Sequence, residues 1–460
     1  MRATLDFILN GERLSLADVD PARTLLTWLR ETRRLVGTKE GCAEGDCGAC
    51  TVVLADLHAG ELRYQPINAC ILCLGALDGK EIITVEALKD SARLHPVQQA
   101  MVDCHGSQCG FCTPGFVMAL YAHYKTGSRL PVADAVAGNL CRCTGYRPIV
   151  EAGERAAASA SSAAEQSDDA RRKARLAPLP QDATQVGGFF APATVDELSR
   201  FLAAQTDAVI LAGGTDLGLF ITKQHRDLDR IAYIGKVREL KTIGETHEAF
   251  EIGGAVTYAE AYGALASIHA DIGELLRRLG AVQVRAVGTI AGNIANGSPI
   301  GDTMPVLLAL GATLTLQLGS QTRTVALDQF YSGYRKSVLR AGEFIRSIRV
   351  PKLAPAARFA AYKLSKRFDQ DISSVCAALY ADEREMRFAF GGMAATPARA
   401  RNAERAYANG VEAACAALAQ DFKPVSDQRA SAWYRLTAAQ GLLRKFDARV
   451  GPRALLEIAP

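Results

Sequence analysis

The cysteines of this chain are crowded into its first third, and that crowding constrains the fold more than any other feature. Ten of the twelve lie between Cys42 and Cys143, and only Cys376 and Cys415 follow. Three of them sit in one short loop, GCAEGDCGAC, at residues 41–50. Such a loop can belong to a disulfide framework, a zinc clasp or an iron–sulfur cage. The start, MRATLDFILNGERLSL, lacks a basic segment followed by an apolar one, and no run of 18 apolar residues appears, so neither a leader nor a membrane span is expected. The expected address is cytoplasmic, where thiols stay reduced and clustered cysteines are metal ligands more often than disulfides. A net charge of +4 over 460 residues makes no electrostatic case for nucleic acid or membrane partners. A chain of this length is expected to split into roughly two to four domains.

The spacing Cys42, Cys47, Cys50, followed by a distant cysteine, is C-x4-C-x2-C…C, the arrangement of plant-type [2Fe–2S] ferredoxins. A cluster with its thiolates carries net negative charge, which inward-pointing backbone N–H groups neutralise. Gly41, Gly45, Gly48 and Ala49 allow that close approach, and Glu44 and Asp46 then face outward. A zinc clasp needs no such cage and uses C-x2-C pairs. Spacing leaves two candidates for the fourth ligand, Cys70 and Cys73.

A second group pairs Cys109 and Cys112, in QCGFCTPG, with Cys141 and Cys143, in CRCTGYRP. C-x2-C with a remote C-x-C suits zinc as well as iron–sulfur. Cys112 precedes a helix expected from Pro114 to Gly127, and Cys141 and Cys143 precede another opened by Pro148, so helix N-termini would stabilise thiolate charge. Cys104 has no evident partner and is expected to be structural.

Around these groups the pattern is α+β. TLDFILNGERLSL reads as a hairpin about Asn10-Gly11, PARTLLTWLRET as a short helix burying Leu25, Leu26 and Leu29, and TVVL and IITVEAL as strands. From about Leu94 to Ala158 the chain reads as helical, including VADAVAGNL. Residues 156–185, rich in Ala, Ser and charge, read as a linker, helical in part. Beyond Phe189, AVILAGG, YIGKV, FEIGGAVTYAEAY, GTIAGNIANG, ATLTLQL and FIRSIRVP read as strands or strand–turn units. Further strands follow Phe359, and helices cover roughly 401–450. In RASAWYRLTAAQGLLRKF, Trp433, Leu436, Leu443 and Phe446 are spaced for a core-packing helix.

Taken in order, GCAEGDCGACTVVL, INAC, QCGFCTPGFVM and GNLCRCTGYRPIVEA resemble the molybdenum hydroxylase family, in particular its xanthine dehydrogenase branch. The resemblance runs through nearly all of residues 1–155. It implies a multidomain α+β chain: a β-grasp ferredoxin-like domain (1–82), a four-helix-bundle domain (83–158), a linker (159–183), a vanillyl-alcohol-oxidase-type FAD-binding domain (184–352) and a C-terminal α+β flavoprotein domain (353–460). It also implies two [2Fe–2S] clusters, one on Cys42, Cys47, Cys50 and Cys70, the other on Cys109, Cys112, Cys141 and Cys143. Cys73 is then left free, and Gln108 matches a glutamine that approaches the molybdenum cofactor.

In the second half, LAGGTDLGL at 211–219 and VGTIAGNIANGSPIGD at 287–302 are glycine-dense but lack G-x-G-x-x-G. Consecutive N–H groups in such turns can cradle a diphosphate. By resemblance to the family's FAD domain, Leu211, Ala212, Gly213, Gly214, Thr215, Asp216 and Leu217 hold the diphosphate together with Gly288, Thr289, Ile290, Ala291, Gly292 and Asn293. Asp302 and Lys363 then contact the flavin, Ile345 lies near its ring, and Tyr334 lies near the nicotinamide. The loop KRFDQDI departs from the more acidic family pattern at Phe368 and Gln370.

The resemblance implies an iron–sulfur/FAD electron-transfer subunit. Electrons from a molybdenum cofactor on a large partner subunit would pass through both clusters to FAD and NAD+ while hypoxanthine and xanthine are oxidised to urate, in a dimer of heterodimers. No residue of this chain then touches purine, so no catalytic residue is expected. The alternatives are the matching subunit of an aldehyde, nicotinate or carbon monoxide dehydrogenase, a stand-alone NADH:acceptor reductase, and a zinc-bound assembly module.

Overall fold

The structure, a computed structural model, describes residues 1–89, 93–159 and 163–449, excepting the side chains of 163 and 164. These fall into two compact units. The first comprises Met1–Phe201, Asp207–Val237 and Gly280–Gly288; the second comprises Leu202–Thr206, Arg238–Leu279 and the described chain from Thr289 onward.

In the first unit, β1 (Leu5–Leu9) and β2 (Glu12–Leu16) form the expected hairpin. Asn10 and Gly11 both take positive φ, 52° and 87°, as a tight two-residue turn demands. With β3 (Thr51–His58), β4 (Glu61–Asn68) and β5 (Glu81–Ile83) they make one sheet in the order β2-β1-β5-β3-β4, in which only β1 and β5 run parallel. The helix Leu25–Thr27 continues into a π-helical turn, Trp28–Thr32, and buries Leu25, Leu26, Trp28 and Leu29 in the core of this sheet. The strand expected over 82–88 ends at Ile83. Asn10 explains the stop: its side chain accepts from Thr84 N at 2.9 Å and donates to Thr84 Oγ1 at 3.0 Å, and the chain turns into a 3-10 segment, Val85–Ala87.

Helices Pro96–Asp103, Thr113–Thr126 and Arg147–Ala157 pack about Phe116, Met118, Leu120, Ile149 and Ala152. VADAVAGNL is helical only over Val132–Ala135, a correction to the longer helix expected there. The chain leaves the helix because Gly138 lies against Gln283 and Asn139 turns its amide to the Gly48 carbonyl.

The segment before residue 183 contains a helix, Ala163–Leu176. It is held on β4 and β5 by polar groups: Arg172 bonds Glu81 at 3.0 Å and the Tyr64 hydroxyl at 2.9 Å, and Lys173 bonds Glu61 at 3.0 Å. Leu176 and Leu179 are buried with Ile8. A four-stranded sheet follows, ordered Thr184–Val186, Phe189–Ala191, Ile231–Tyr233 and Val209–Leu211.

The second unit is built on two sheets. One runs Ile243–Glu245, Ala249–Gly253, Phe344–Pro351, Thr313–Leu318, Gln321–Ala326; the other runs Arg358–Leu364, Val375–Ala381, Met386–Gly391, Ala398–Arg399. GTIAGNIANG, expected as a strand–turn unit, is instead a helix, Ile290–Asn296. The Thr289 hydroxyl caps it by accepting from Gly292 N at 3.0 Å, and Ile290 and Ile294, four residues apart, are both buried. Helix Ala432–Asp447 buries Leu443 and Phe446 as expected, but Trp433 is 74% exposed, a correction. Trp433 stands in the first turn, outside the stripe that meets the sheet. Among the described residues no helix is long and apolar enough to cross a membrane.

Candidate cofactor sites

The 41–50 loop is wound around the Cys42 sulfur. Backbone N–H groups of Glu44, Asp46 and Cys47 donate to Cys42 Sγ at 3.4, 3.3 and 3.3 Å. Positive φ at Ala43 (54°), Gly45 (78°) and Gly48 (68°) turns those donors inward, and Glu44 and Asp46 are exposed. A Cβ on Gly41 would lie 2.8 Å from Cys47 Sγ. These contacts are what a buried, negatively charged sulfur cage requires.

The free thiol of Cys42 lies within hydrogen-bonding reach of Cys47 and Cys70, and Cys70 within reach of Cys50 as well. The Cys47 sulfur, aided by Cys70, holds the Cys42 thiol far below its usual range, whereas Cys42 pushes Cys47 and Cys70 up. Cys73 takes no part: it is 1% exposed, and burial pushes its thiol up to about 12. Cys50 Sγ lies 3.9 Å from Asn68 Oδ1, and Asn68 Nδ2 donates to Gly45 O at 2.9 Å.

The second group gathers at two helix starts. Cys112 caps Thr113–Thr126, and Cys141 and Cys143 lie just before Arg147–Ala157. Cys109 and Cys143 bond to each other and are exposed, as is Gln108. The Phe111 N–H, with the Cys143 side chain, draws the Cys109 thiol below its usual range. Burial, then Cys141, pushes Cys112 up to about 12. Burial also acts to raise Cys141, but the Thr144 hydroxyl and N–H outweigh it, and the thiol is lowered. Among the described residues no three His, Cys, Asp or Glu side chains converge as the ligands of a single metal ion would. Four cysteines in each group match the number a two-iron cluster takes, two thiolates on each iron.

The glycine turns form two separate features. In the first unit, residues 211–217 run against 287–288: a Cβ on Gly213 would sit 1.9 Å from Val287 O, and one on Gly288 would sit 2.9 Å from Val284 O and 3.6 Å from Thr215 Oγ1. Such bare-backbone packing leaves a turn of main-chain dipoles suited to a phosphate group. In the second unit, Asp302 is 6% exposed and immediately precedes the helix Thr303–Leu310 without capping it. Its carboxylate accepts from Lys363 Nζ at 2.6 Å and from Ser373 Oγ at 2.5 Å. Asn293 joins through Thr303 Oγ1 at 3.0 Å, and the Tyr258 hydroxyl lies 2.7 Å from Thr303 Oγ1. Ile345 is buried in Phe344–Pro351. Tyr334 stands apart, 58% exposed in the turn between Tyr331–Gly333 and Lys336–Ser337. Tyr258, Thr303 and Ser373 were not legible in the sequence: each is a common polar residue whose partner is fixed by folding. Asn68 and Asn139 lie inside the INAC and GNLCRC motifs, but nothing in those motifs names their partners, and Thr257 with Glu260 forms a capping box before Tyr258.

Four family models match successive parts of the chain: the 2Fe-2S iron-sulfur cluster binding domain over residues 7–74, the [2Fe-2S] binding domain over 84–154, the FAD binding domain in molybdopterin dehydrogenase over 183–353, and the CO dehydrogenase flavoprotein C-terminal domain over 360–450. The chain belongs to the molybdenum hydroxylase family. As a molybdenum hydroxylase chain it carries the iron–sulfur and FAD modules of that family in one polypeptide. It is 34% identical to the xanthine dehydrogenase of Emericella nidulans over 96% of its own length and 38% of that protein's. With the Drosophila subobscura xanthine dehydrogenase the identity is 33%, over 86% and 35%. The chain therefore spans little more than a third of the curated relatives it matches. Among solved structures, reconstituted CO dehydrogenase from Oligotropha carboxidovorans is 25% identical with a TM-score of 0.54, covering 58% of this chain and 98% of that one. Carbon monoxide dehydrogenase from Hydrogenophaga pseudoflava gives 26% and 0.52, over 56% and 94%.

Proposed function

We propose that the chain is the electron-transfer subunit of a xanthine dehydrogenase of the two-subunit type, in which a partner subunit carries the molybdenum cofactor. The observation that carries this reading is continuity: the likeness to xanthine dehydrogenase runs over 96% of the chain, across both iron–sulfur modules and the flavin module in one order. The five-part division given above, 1–82, 83–158, 159–183, 184–352 and 353–460, belongs to the same proposal.

In this reading Cys42, Cys47, Cys50 and Cys70 hold one cluster and Cys109, Cys112, Cys141 and Cys143 the other. Residues 211–217 and 288–293 bind the FAD diphosphate, and Asp302 and Lys363 bind the flavin. Tyr334, on its exposed turn, is available to a nicotinamide. Bound, the clusters carry single electrons and the flavin joins two of them into a hydride for NAD+. The chain's own residues do the preparatory work. The 42–47 N–H groups hold negative charge at the first cage, and the Lys363–Asp302 pair holds a fixed dipole at the flavin site. The exposed Cys109 and Cys143 suit a cluster that receives electrons from another subunit. The balance is xanthine, water and NAD+ giving urate, NADH and a proton.

The second reading, a carbon monoxide dehydrogenase, is favoured by the solved flavoproteins of that enzyme. Anaerobic titration of the purified complex separates the two. Bleaching of visible absorbance by xanthine, with one NADH formed per urate, supports the first, and bleaching by carbon monoxide alone supports the second. The isolated chain should respond to NADH and not to purine.

A further inference from the structure

The two groups of cysteines are joined by a buried polar seam. Leu140 N donates to the Cys47 carbonyl at 2.9 Å, so a residue adjoining Cys141 is bonded to a cysteine of the first group. Beside it, Asn139 Nδ2 donates to Gly48 O at 2.9 Å and to Thr51 Oγ1 at 3.2 Å, and the Thr51 hydroxyl donates to Gly48 O at 2.6 Å. The third member is Gln283, from the short segment 280–288 that runs up to the glycine turn at Gly288. Its Nε2 donates to Asn139 Oδ1 at 2.9 Å and to Thr51 Oγ1 at 3.2 Å. Gln283 is 0% exposed, Thr51 1% and Asn139 2%.

The surrounding backbone is pressed as close as glycine permits. A Cβ on Gly48 would lie 2.2 Å from Gly138 O, one on Gly115 2.3 Å from Gly48 O, and one on Gly138 2.0 Å from Gln283 Oε1. Three stretches, 47–51, 112–115 and 138–141, therefore meet at one point, and Gln283 is the side chain that bonds two of them at once. The seam is not built for stability alone. Gln283 Oε1 is buried without a hydrogen-bond partner among the described residues, a desolvation cost that an apolar side chain of the same shape would avoid.

We propose that Gln283, acting through Asn139 and Thr51, is a positioning residue that fixes the first cluster's ligand loop against the second's, and so sets the spacing and coupling of the two clusters. The inference rests on the cluster assignment made above. It also gives the flavin-domain segment a direct hold on the two loops that carry electrons toward it.

The test uses the complete chain, loaded with iron, in two near-isosteric variants. Gln283→Met removes both donations from Nε2 and relieves the unpartnered acceptor. Asn139→Asp keeps the oxygen but removes the donation to Gly48 O, and it serves if the first variant does not accumulate. Iron content and low-temperature paramagnetic resonance after dithionite reduction are read together. The expected result is full iron, about four per chain, two signals, a changed magnetic splitting between them and displaced g values for the first cluster. Spectra superimposable on wild type, or loss of one signal only, would overturn the proposal, because either assigns Gln283 to packing or to a single loop. Absence of iron from the wild-type chain would instead sink the cluster assignment itself.

Discussion

Cys70 and Cys73 are three residues apart and equally buried, yet their surroundings differ in kind. Cys70 faces two other sulfurs, whereas Cys73 precedes a 3-10 turn, where burial and then Asp20 act on its thiol. Cys70→Ser should lower iron from about four to about two atoms per chain, and Cys73→Ala should leave it unchanged, as read by elemental analysis. The same scale governs Lys363, whose side chain is 3% exposed beside the 7% exposed side chain of Asp302. Lys363→Met takes the cation from a buried carboxylate and leaves it the Ser373 bond. The expected cost is about 3–5 kcal/mol, visible as a fall in unfolding temperature together with reduced flavin content after purification.

At the scale of the element, the helix Ala163–Leu176 decides how the chain between the iron–sulfur and flavin modules behaves. Its sequence is polar and its propensity is ordinary, so from sequence it reads as a linker. What fixes it is the partner surface. Arg172, 12% exposed in its side chain, lies between the Tyr64 ring and Glu81, whose side chain is wholly buried. Asp169 bonds the Tyr64 hydroxyl, and Lys125 bonds Asp169 at 2.7 Å. Arg172→Met should remove the counter-charge of Glu81 and cost about 3–5 kcal/mol. Limited proteolysis should then cut the 163–176 stretch sooner than in wild type; unchanged cleavage would mean that Lys173–Glu61, the Asp169 contacts and the buried Leu176 and Leu179 hold the helix without Arg172. The helix Ile290–Asn296 teaches the complementary lesson. Its glycines and β-branched residues suggest turns and strands, but the Thr289 cap and the buried Ile290–Ile294 pair outweigh local propensity.

At the scale of the whole molecule, segments far apart in sequence meet around single charges. Asp78, with a wholly buried carboxylate, accepts from Arg2 at 2.7 Å, from Thr184 at 2.9 Å and from Lys236. Burial pushes its carboxyl up, but the Arg2 guanidinium and the Lys236 ammonium outweigh that and hold it below 3.8. The sign follows from linkage: a depressed carboxyl stabilises fully above its unfolded value and loses that contribution as pH falls through the folded value. Unfolding temperatures measured from about pH 6 down to about pH 3 should therefore drop most steeply below 3.8. Asp78→Asn should start lower and show a shallower fall, and an identical slope would remove Asp78 from the account.

Sequence alone pointed to an iron–sulfur site at the first cysteine group, because a thiolate cage is specified by local spacing and by small residues that let nearby N–H groups reach it. Cys42, Cys47 and Cys50 with their glycines needed no distant partner to be read. It also determined the hairpin at Asn10-Gly11 and the helix starts at Pro114 and Pro148, where backbone stereochemistry acts over a few residues. At Cys70, the ligand the resemblance implied, the structure adds the neighbouring Cys42 and Cys50 sulfurs, and only the tertiary structure decided that Lys363 and Ser373 converge on Asp302 and that Asn139 and Gln283 bind the two cysteine loops together. Those partners are ordinary amides, hydroxyls and charges, separated by 61 to 232 residues for the Asp302 and Gln283 pairs, and burial alone makes them specific. A polar group taken from water must find a partner, and which partner it finds is a property of the packed chain.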